Sequence, residues 1–546
     1  MSMQPQSLPE IPEDTARLAR VLYKRKGNIY VTIGDQIGPL FADVDFADLY
    51  AADGKPALSP NRLAMVVIFQ FMEDLSDREA AEAVVSRIDW KYALHMSLTD
   101  LGFDYSVLSD FRERLLQHDA ALRLFERLLQ RLTELGFVRH GGRQRTDGTY
   151  VLTTARALSR VELVAETMRV ALELLADERP DWLRSIAQPH WYERYSTVWT
   201  AFRLPKSRDK RDALALEIGA DGFHLLQALD QVDAPSQAGT WPEVATLRQV
   251  WQQQFELLDG KVQWRPKQKI PPGGQLIVTP HDVEARPGQH GERTWKGYGL
   301  HVTETCDTDQ PRLITDVLVV SASVEDTPVL AGIQDRLAQR HLLPAQHLVD
   351  TGYTAGHTLT RSRERHGVDL VGPVAKESSW QAQDPQGITT ACFHVDWIHQ
   401  QATCPQGQRS VYWSPLKNHY GQPVVEIRFP ANACQPCPLR EHCTHSKEGR
   451  ALKLSIYHDT ILAARRRQET PAFRETYRRR AGIESTISEA VNSHGIRRSR
   501  YVGLARTTTQ ALLTAIAINL KRVALWLMAP GPRKPRPARL TCLAPA

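Results

Sequence analysis

The sequence predicts an α/β protein in which an all-helical stretch precedes a core of strands mixed with helices. Residues 1–140 carry helical apolar periodicity interrupted by Ser and Asp helix starts. From residue 143 onward, short β-branched runs alternate with helical runs. The charge is also uneven. Of a net +6, residues 465–546 carry 17 Lys/Arg against 4 Asp/Glu, which leaves the first 464 residues at −7. A basic C-terminal region on a slightly acidic body points to a localised polyanion contact.

In the helical part, Ser59 before Pro60 predicts a helix start, with the proline in the first turn. Leu63, Val66, Val67 and Phe71 fall on one face, widened by Ile68 and Phe69. Ser76 and Asp77 then break the pattern ahead of a helix over 80–87. Ser109 and Asp110 precede one long amphipathic run over 111–135. Short helices with Ser/Asp caps suit a compact helical domain over 36–140, either a DNA-binding domain of helix-turn-helix type or a packing or dimerisation domain, behind an N-terminal extension at 1–35.

The first strand is expected over 143–152, around Asp147. A helix over 157–175 opens a mainly helical insertion of about 157–280, which closes near the loop Pro271-Pro272-Gly273-Gly274. Strand texture returns at 299–305 and 313–321, a helix follows at 327–340, and a strand at 346–350 ends on Asp350. Residues 353–458 read as irregular, and five of the seven cysteines lie there, so a Cys-containing insertion is expected over about 357–458. A basic helix follows, with Ile483, Ile487 and Val491 on one face and Glu484 at its edge. Residues 526–546 are rich in proline and cations and predict a disordered tail.

No basic-then-apolar signal opens the chain, and the apolar run 511–520 is short and followed by Lys521 and Arg522, so a buried helix is expected there and no membrane span. Seven cysteines in a chain of 546 residues fit a reducing cytoplasm.

Phosphoryl transfer on a nucleic-acid backbone needs an activated nucleophile and neutralised charge on the leaving oxygen, and two divalent cations about 3.5–4 Å apart supply both. Hard cations take carboxylate oxygens. Asp147, Asp350 and Glu484 suit that role, two at strand ends and one on a packed helix. Asp282, Asp316 and Asp326 also lie near strand ends, and spacing alone leaves them open.

Several stretches resemble the DDE transposases of bacterial insertion sequences. TDGTY at 146–150 is similar to that family's first-aspartate motif, and VDTGYTAG at 349–356 to its second. Residues 477–522 resemble its third-acid region and closing helix. HDVEAR, WKGYGLHVTET and LITDVLVVSASVEDTPVL, within 281–330, resemble the intervening strands, and 75–98 and 104–115 the helical domain. The likeness spans about 35–525. It implies a ribonuclease-H-like catalytic core over 141–525 interrupted by the two insertions. It further implies Asp147, Asp350 and Glu484 as catalytic ligands of two magnesium ions (manganese as substitute), and double-stranded DNA as partner. At least a homodimer is expected when element ends are synapsed, in the bacterial cytoplasm and on the nucleoid when bound. The family's third-acid pattern places Tyr, Arg, Glu and then Lys; Tyr477, Arg480 and Glu484 match it, and Val491 stands where Lys is expected. Beside a metal-bound phosphate a cationic track is needed to hold the DNA backbone, so Arg480, Arg497, Arg498 and Arg500, with Tyr477, are the candidate DNA contacts. Val491 also motivates a rival reading, a catalytically inactive DNA-binding remnant; a general nuclease is the third.

Cys404, Cys434, Cys437 and Cys443, with one CxxC pair, form a candidate structural zinc set, with His442 and His445 as substitute ligands.

Overall fold

The N-terminal apolar pattern becomes helices whose ends follow the expected chemistry. The computed structural model describes residues 2–529 except Gln4, Val232, Asp233, Ser236 and Tyr420. Most of the tail expected over 526–546, from residue 530 on, lies outside the described residues. Helix α1 (Pro60–Glu73) starts at Ser59, whose hydroxyl accepts from the Arg62 amide, and ends at Asp74 in the left-handed region at φ 58°. Helix α2 (Asp77–Ser86) opens with a reciprocal capping box between Ser76 and Glu79. The single run expected over 111–135 is two helices, α3 (Ser106–Leu115) and α4 (Ala120–Glu134). Asp119 breaks it by taking φ 52° after a tight turn. The break lets Phe111 and Leu115 face the same core as Leu124, Phe125 and Leu128.

One mixed sheet organises the rest, with strands β1 (Arg143–Leu152), β2 (Arg286–His290), β3 (Arg293–Thr305), β4 (Ile314–Ser321), β5 (Gln346–Leu348) and β6 (Asp369–Val371). The order is β2-β3-β1-β5-β6, with β4 also paired to β3. β1 runs antiparallel to β3 and parallel to β5, and β6 continues parallel to β5. Half of the chain is helical, so the fold is mixed α/β with a curled mixed sheet and a helical N-terminal region.

Between β1 and β2, helices α5 (Arg160–Glu178), α6 (Arg208–Leu229) and α7 (Pro242–Gln254) close a second apolar core around Trp191, Trp251 and Phe255. Helix α8 (Asp326–Gln339) follows β4. The stretch read as irregular over 353–458 is partly ordered into strands. Its start supplies β6, and Tyr412–Lys417, Pro423–Arg428 and Ala451–Ser455 form a separate antiparallel sheet. These strands are short and expose one face: Val425, Ile427, Leu452 and Leu454 point inward, with Trp413 packed against them.

After helix α9 (Ile483–Ser493), the chain ends its described part in α10 (Leu504–Met528). α10 is longer than its apolar run suggested; by length and composition it could cross a membrane, but its middle is buried against β4, α1 and α4. There the Asn519 amide binds both backbone groups of Ile314, at 2.7 and 2.8 Å, which satisfies two polar groups that would otherwise cost about 1–3 kcal/mol each when buried. The helical N-terminal region shares this core: Leu63, Phe69, Phe125, Val317, Ile333 and Ile516 belong to one continuous cluster.

Candidate active site

Side chains alternate across a strand, so Arg145, Asp147 and Thr149 share one face of β1. Each meets a different part of the segment containing α9. Arg145 donates to the Arg479 carbonyl, Asp147 pairs with Arg480 at 2.8 Å, and Thr149 accepts from Arg497 at 2.9 Å. The segment therefore lies across that face of the strand.

Register brings in the second acid. β1 and β5 pair in parallel through Arg145 opposite Leu348; Asp147 lies two residues further along β1, and Asp350 two residues past the end of β5. Asp350 caps the turn Thr351–Tyr353, its Oδ1 accepting from the Gly352 amide at 2.8 Å. The third acid, Glu484, stands in the first turn of α9, four residues after Arg480. All three converge on the Arg480 guanidinium: Asp147 at 2.8 Å, Asp350 at 3.6 Å and Glu484 at 3.6 Å. Ile483 is buried, and Ile487 and Val491 pack on the core, so the expected apolar stripe of α9 is the one that docks.

The electrostatics are those of a crowded anionic site. Burial pushes the Asp147 carboxyl up, Arg480 opposes that, and Asp350 adds to it. Burial works against the charge of Arg480, but Asp147, Tyr477, Asp350 and Glu484 together raise its pKa.

A fourth carboxylate joins them. Asp326, the first residue of α8, is pushed up to about 6 by burial and by Asp350 and Asp147. A Cβ on Gly352 would come within 2.5 Å of one Asp326 oxygen and 3.2 Å of one Asp350 oxygen, so the close approach of the two acids requires glycine there. Asp326 was one of three aspartates that spacing left open. The other two are engaged elsewhere: Asp282 accepts from Tyr298 at 2.7 Å and from Thr153, and the buried Asp316 pairs with Arg336 and Arg340, each at 2.7 Å.

A buried polar network holds the acid-bearing segment in place. Glu304 on β3 accepts from Arg145, from Thr486 of α9 at 2.6 Å and from Arg522 of α10 at 2.9 Å. Gly482 lies directly against the Arg145 guanidinium, where a Cβ would sit 2.2 Å from a nitrogen. The position of Glu484 is thus referred to β1 through two contacts.

The remaining cations are distributed more widely than a single track. Arg497 stacks on Tyr150, 3.9 Å from the ring centre, and Arg500 pairs with Asp74. Arg498 is exposed. Tyr477 stacks on Phe473 beside Leu348 and Val371, and burial raises its hydroxyl pKa.

A family model described as Transposase DDE domain matches residues 403–524, and one described as Transposase domain (DUF772) matches residues 21–114. These two matches support a DDE transposase of insertion-sequence type. The first spans Glu484 and stops short of Asp147 and Asp350; the second falls on the N-terminal helices. No curated protein and no solved structure matches the chain. A DDE domain implies a nucleotidyl-transferase type of enzyme, and such transposases generally use divalent metals and act on DNA.

The donor set suits a hard cation, since every converging group is a carboxylate. Among the described residues, however, no three ligand-type side chains are closed to coordinating distance. The guanidinium of Arg480 stands among the acids as their countercharge.

Proposed function

We propose that the protein binds the terminal inverted repeats of an insertion sequence and cuts and rejoins DNA strands there. In this reading Asp147, Asp350 and Glu484 hold two magnesium ions, or manganese in their place, with Asp326 beside them. The observation that carries the reading is the meeting of three carboxylates, from positions 147, 350 and 484, at one guanidinium. The ribonuclease-H-like core is part of the proposal, supported by three strands in antiparallel order, β4-β3-β1, continued by parallel β5 and β6.

Divalent cations would supply charge neutralisation on the phosphate and an activated hydroxyl nucleophile. The chain's own groups do the rest. Burial and the neighbouring acids make Asp147 and Asp326 ready acceptors of positive charge. Arg480, released from the carboxylates, would bind a phosphate oxygen through paired N–H donors. Arg498 would contact the backbone of the bound strand. The order of events is hydrolysis at the element end, then attack of the freed 3′ hydroxyl on target DNA. The helices α1–α4 would recognise the ends, two or more copies would synapse them, and the protein would work in the cytoplasm on the nucleoid.

The test is cleavage of element-end DNA by purified protein with magnesium. Asp147→Asn, Asp350→Asn and Glu484→Gln should each abolish strand cleavage and leave end binding largely intact; unchanged cleavage removes that residue from the site. The second reading, a non-catalytic DNA-binding remnant, draws on Val491, which packs on the core where the family pattern places a lysine. Nicking or 3′-end release by the unaltered protein eliminates it. Equal cutting of unrelated DNA would instead favour a general nuclease.

A further inference from the structure

The four cysteines expected to act together come from three separate turns. Cys404 opens the turn after Gln401–Thr403, where its carbonyl accepts from Gly407 and its amide donates to Gln408, each at 2.9 Å. Cys434 ends the short helix Ala431–Cys434, Cys437 follows it, and Cys443 ends Arg440–Cys443. All four line one small cavity of about 30 Å³, together with Arg440 and Arg450. That is room for a single small occupant. All four are free thiols.

We propose that this cavity is a structural zinc site in which Cys404, Cys434, Cys437 and Cys443 are the four ligands. Tetrahedral tetrathiolate coordination with one close pair is a preferred zinc arrangement. A divalent ion binds such a cluster by displacing the thiol protons. The thiols line the cavity without being closed to coordinating distance, and zinc would draw them together.

Two further features fit. A tetrathiolate zinc carries net negative charge, and the wall of the cavity supplies Arg450, whose buried Nε has no hydrogen-bond partner. Arg450 Nη1 also donates to the Cys443 carbonyl at 2.9 Å, which fixes the guanidinium beside the ligand turn. The surrounding sheet has few large buried groups, chiefly Phe393, Ile427, Phe429, Leu452 and Leu454. A core that small gains from a metal staple. His442 and His445 are not the ligands: His442 pairs with Asp384 at 2.6 Å, and His445 stacks on Trp380 with ring centres 4.2 Å apart.

The experiment is metal analysis of the full-length protein purified without chelator, with no DNA present. The expected result is about one zinc per chain in the wild type and in Cys392→Ser, whose thiol is exposed and away from the cavity. Cys434→Ser and Cys443→Ser should lose most of it. Exchange of the wild type into cobalt should produce the intense visible bands of a tetrahedral tetrathiolate ion, which keeps the test decisive where a variant fails to fold. Metal-free wild-type protein that gives no such bands with cobalt overturns the proposal, as does a disulfide among these cysteines by mass spectrometry. Because the readout involves no DNA, it stands or falls separately from the transposition reading.

Discussion

Replacing Glu304 by glutamine removes one charge from the network that ties the acid-bearing segment to the sheet. The carboxylate is fully buried, and its partners Arg145 and Arg522 are 5% and 11% exposed. The amide preserves the shape but leaves Arg145 with little water and no anion, while Arg522 keeps Glu489 at 2.7 Å. Breaking a buried pair from one side costs about 3–5 kcal/mol, because the remaining charge is uncompensated. Because Arg522 retains Glu489, Glu304→Gln is expected at the lower part of that range. The loss should appear as a lower urea midpoint in circular dichroism at neutral pH. The same network locates α9 through Thr486, two residues beyond Glu484, so strand cleavage should fall further than stability alone accounts for. The comparison is made under conditions where both proteins are folded. A stability change below about 1 kcal/mol with unaltered cleavage would refute the assignment of this network as the anchor of the site.

Two further outcomes follow from the same geometry. Burial lowers His347 to about 4, and its Nε2 lies 2.6 Å from the Thr146 hydroxyl beside the first acid. A depressed folded-state pKa means that its contribution is present above the unfolded value of about 6.5 and is lost as pH falls toward 4, up to about 3 kcal/mol. Urea unfolding at pH 7.5 and pH 5 should therefore show a larger acid loss in wild type than in His347→Gln; equal losses would sink this account. Arg480→Gln withdraws the countercharge from Asp147, at a cost of about 1.5–3 kcal/mol for a charge-assisted bond. Manganese should then raise the melting temperature of the variant more than that of the wild type, and an equal rise would show that the guanidinium does not stand where a cation binds.

What could be read from the sequence was local. Ser59-Pro60 predicted a helix start because a cap is a contact within three residues. The strand around Asp147 and the helix carrying Glu484 were legible for the same reason, as periodicity needs no partner. The shared core of the N-terminal helices and the sheet was not legible, since an apolar face does not name what it packs on. Nor was the network of Arg145, Glu304, Thr486 and Arg522, whose members are scattered over nearly 380 residues and look like ordinary surface charges. Asp326 remained one of three equal candidates until α8 was seen to start beside Gly352.

Arg480 illustrates how the two kinds of information combine. Its spacing from Glu484 matched a motif, and on an isolated helix a pair four residues apart is a weak surface interaction of about 0.3–0.5 kcal/mol. The fold changes its meaning. Gly482 must lie on Arg145, which fixes the turn Arg479–Gly482 against β1 and so aims Arg480 at Asp147 two residues along the same face. The parallel register of β1 and β5 then adds Asp350 without any further device. A larger residue at position 482 would therefore disturb all three acids at once, although it touches none of them.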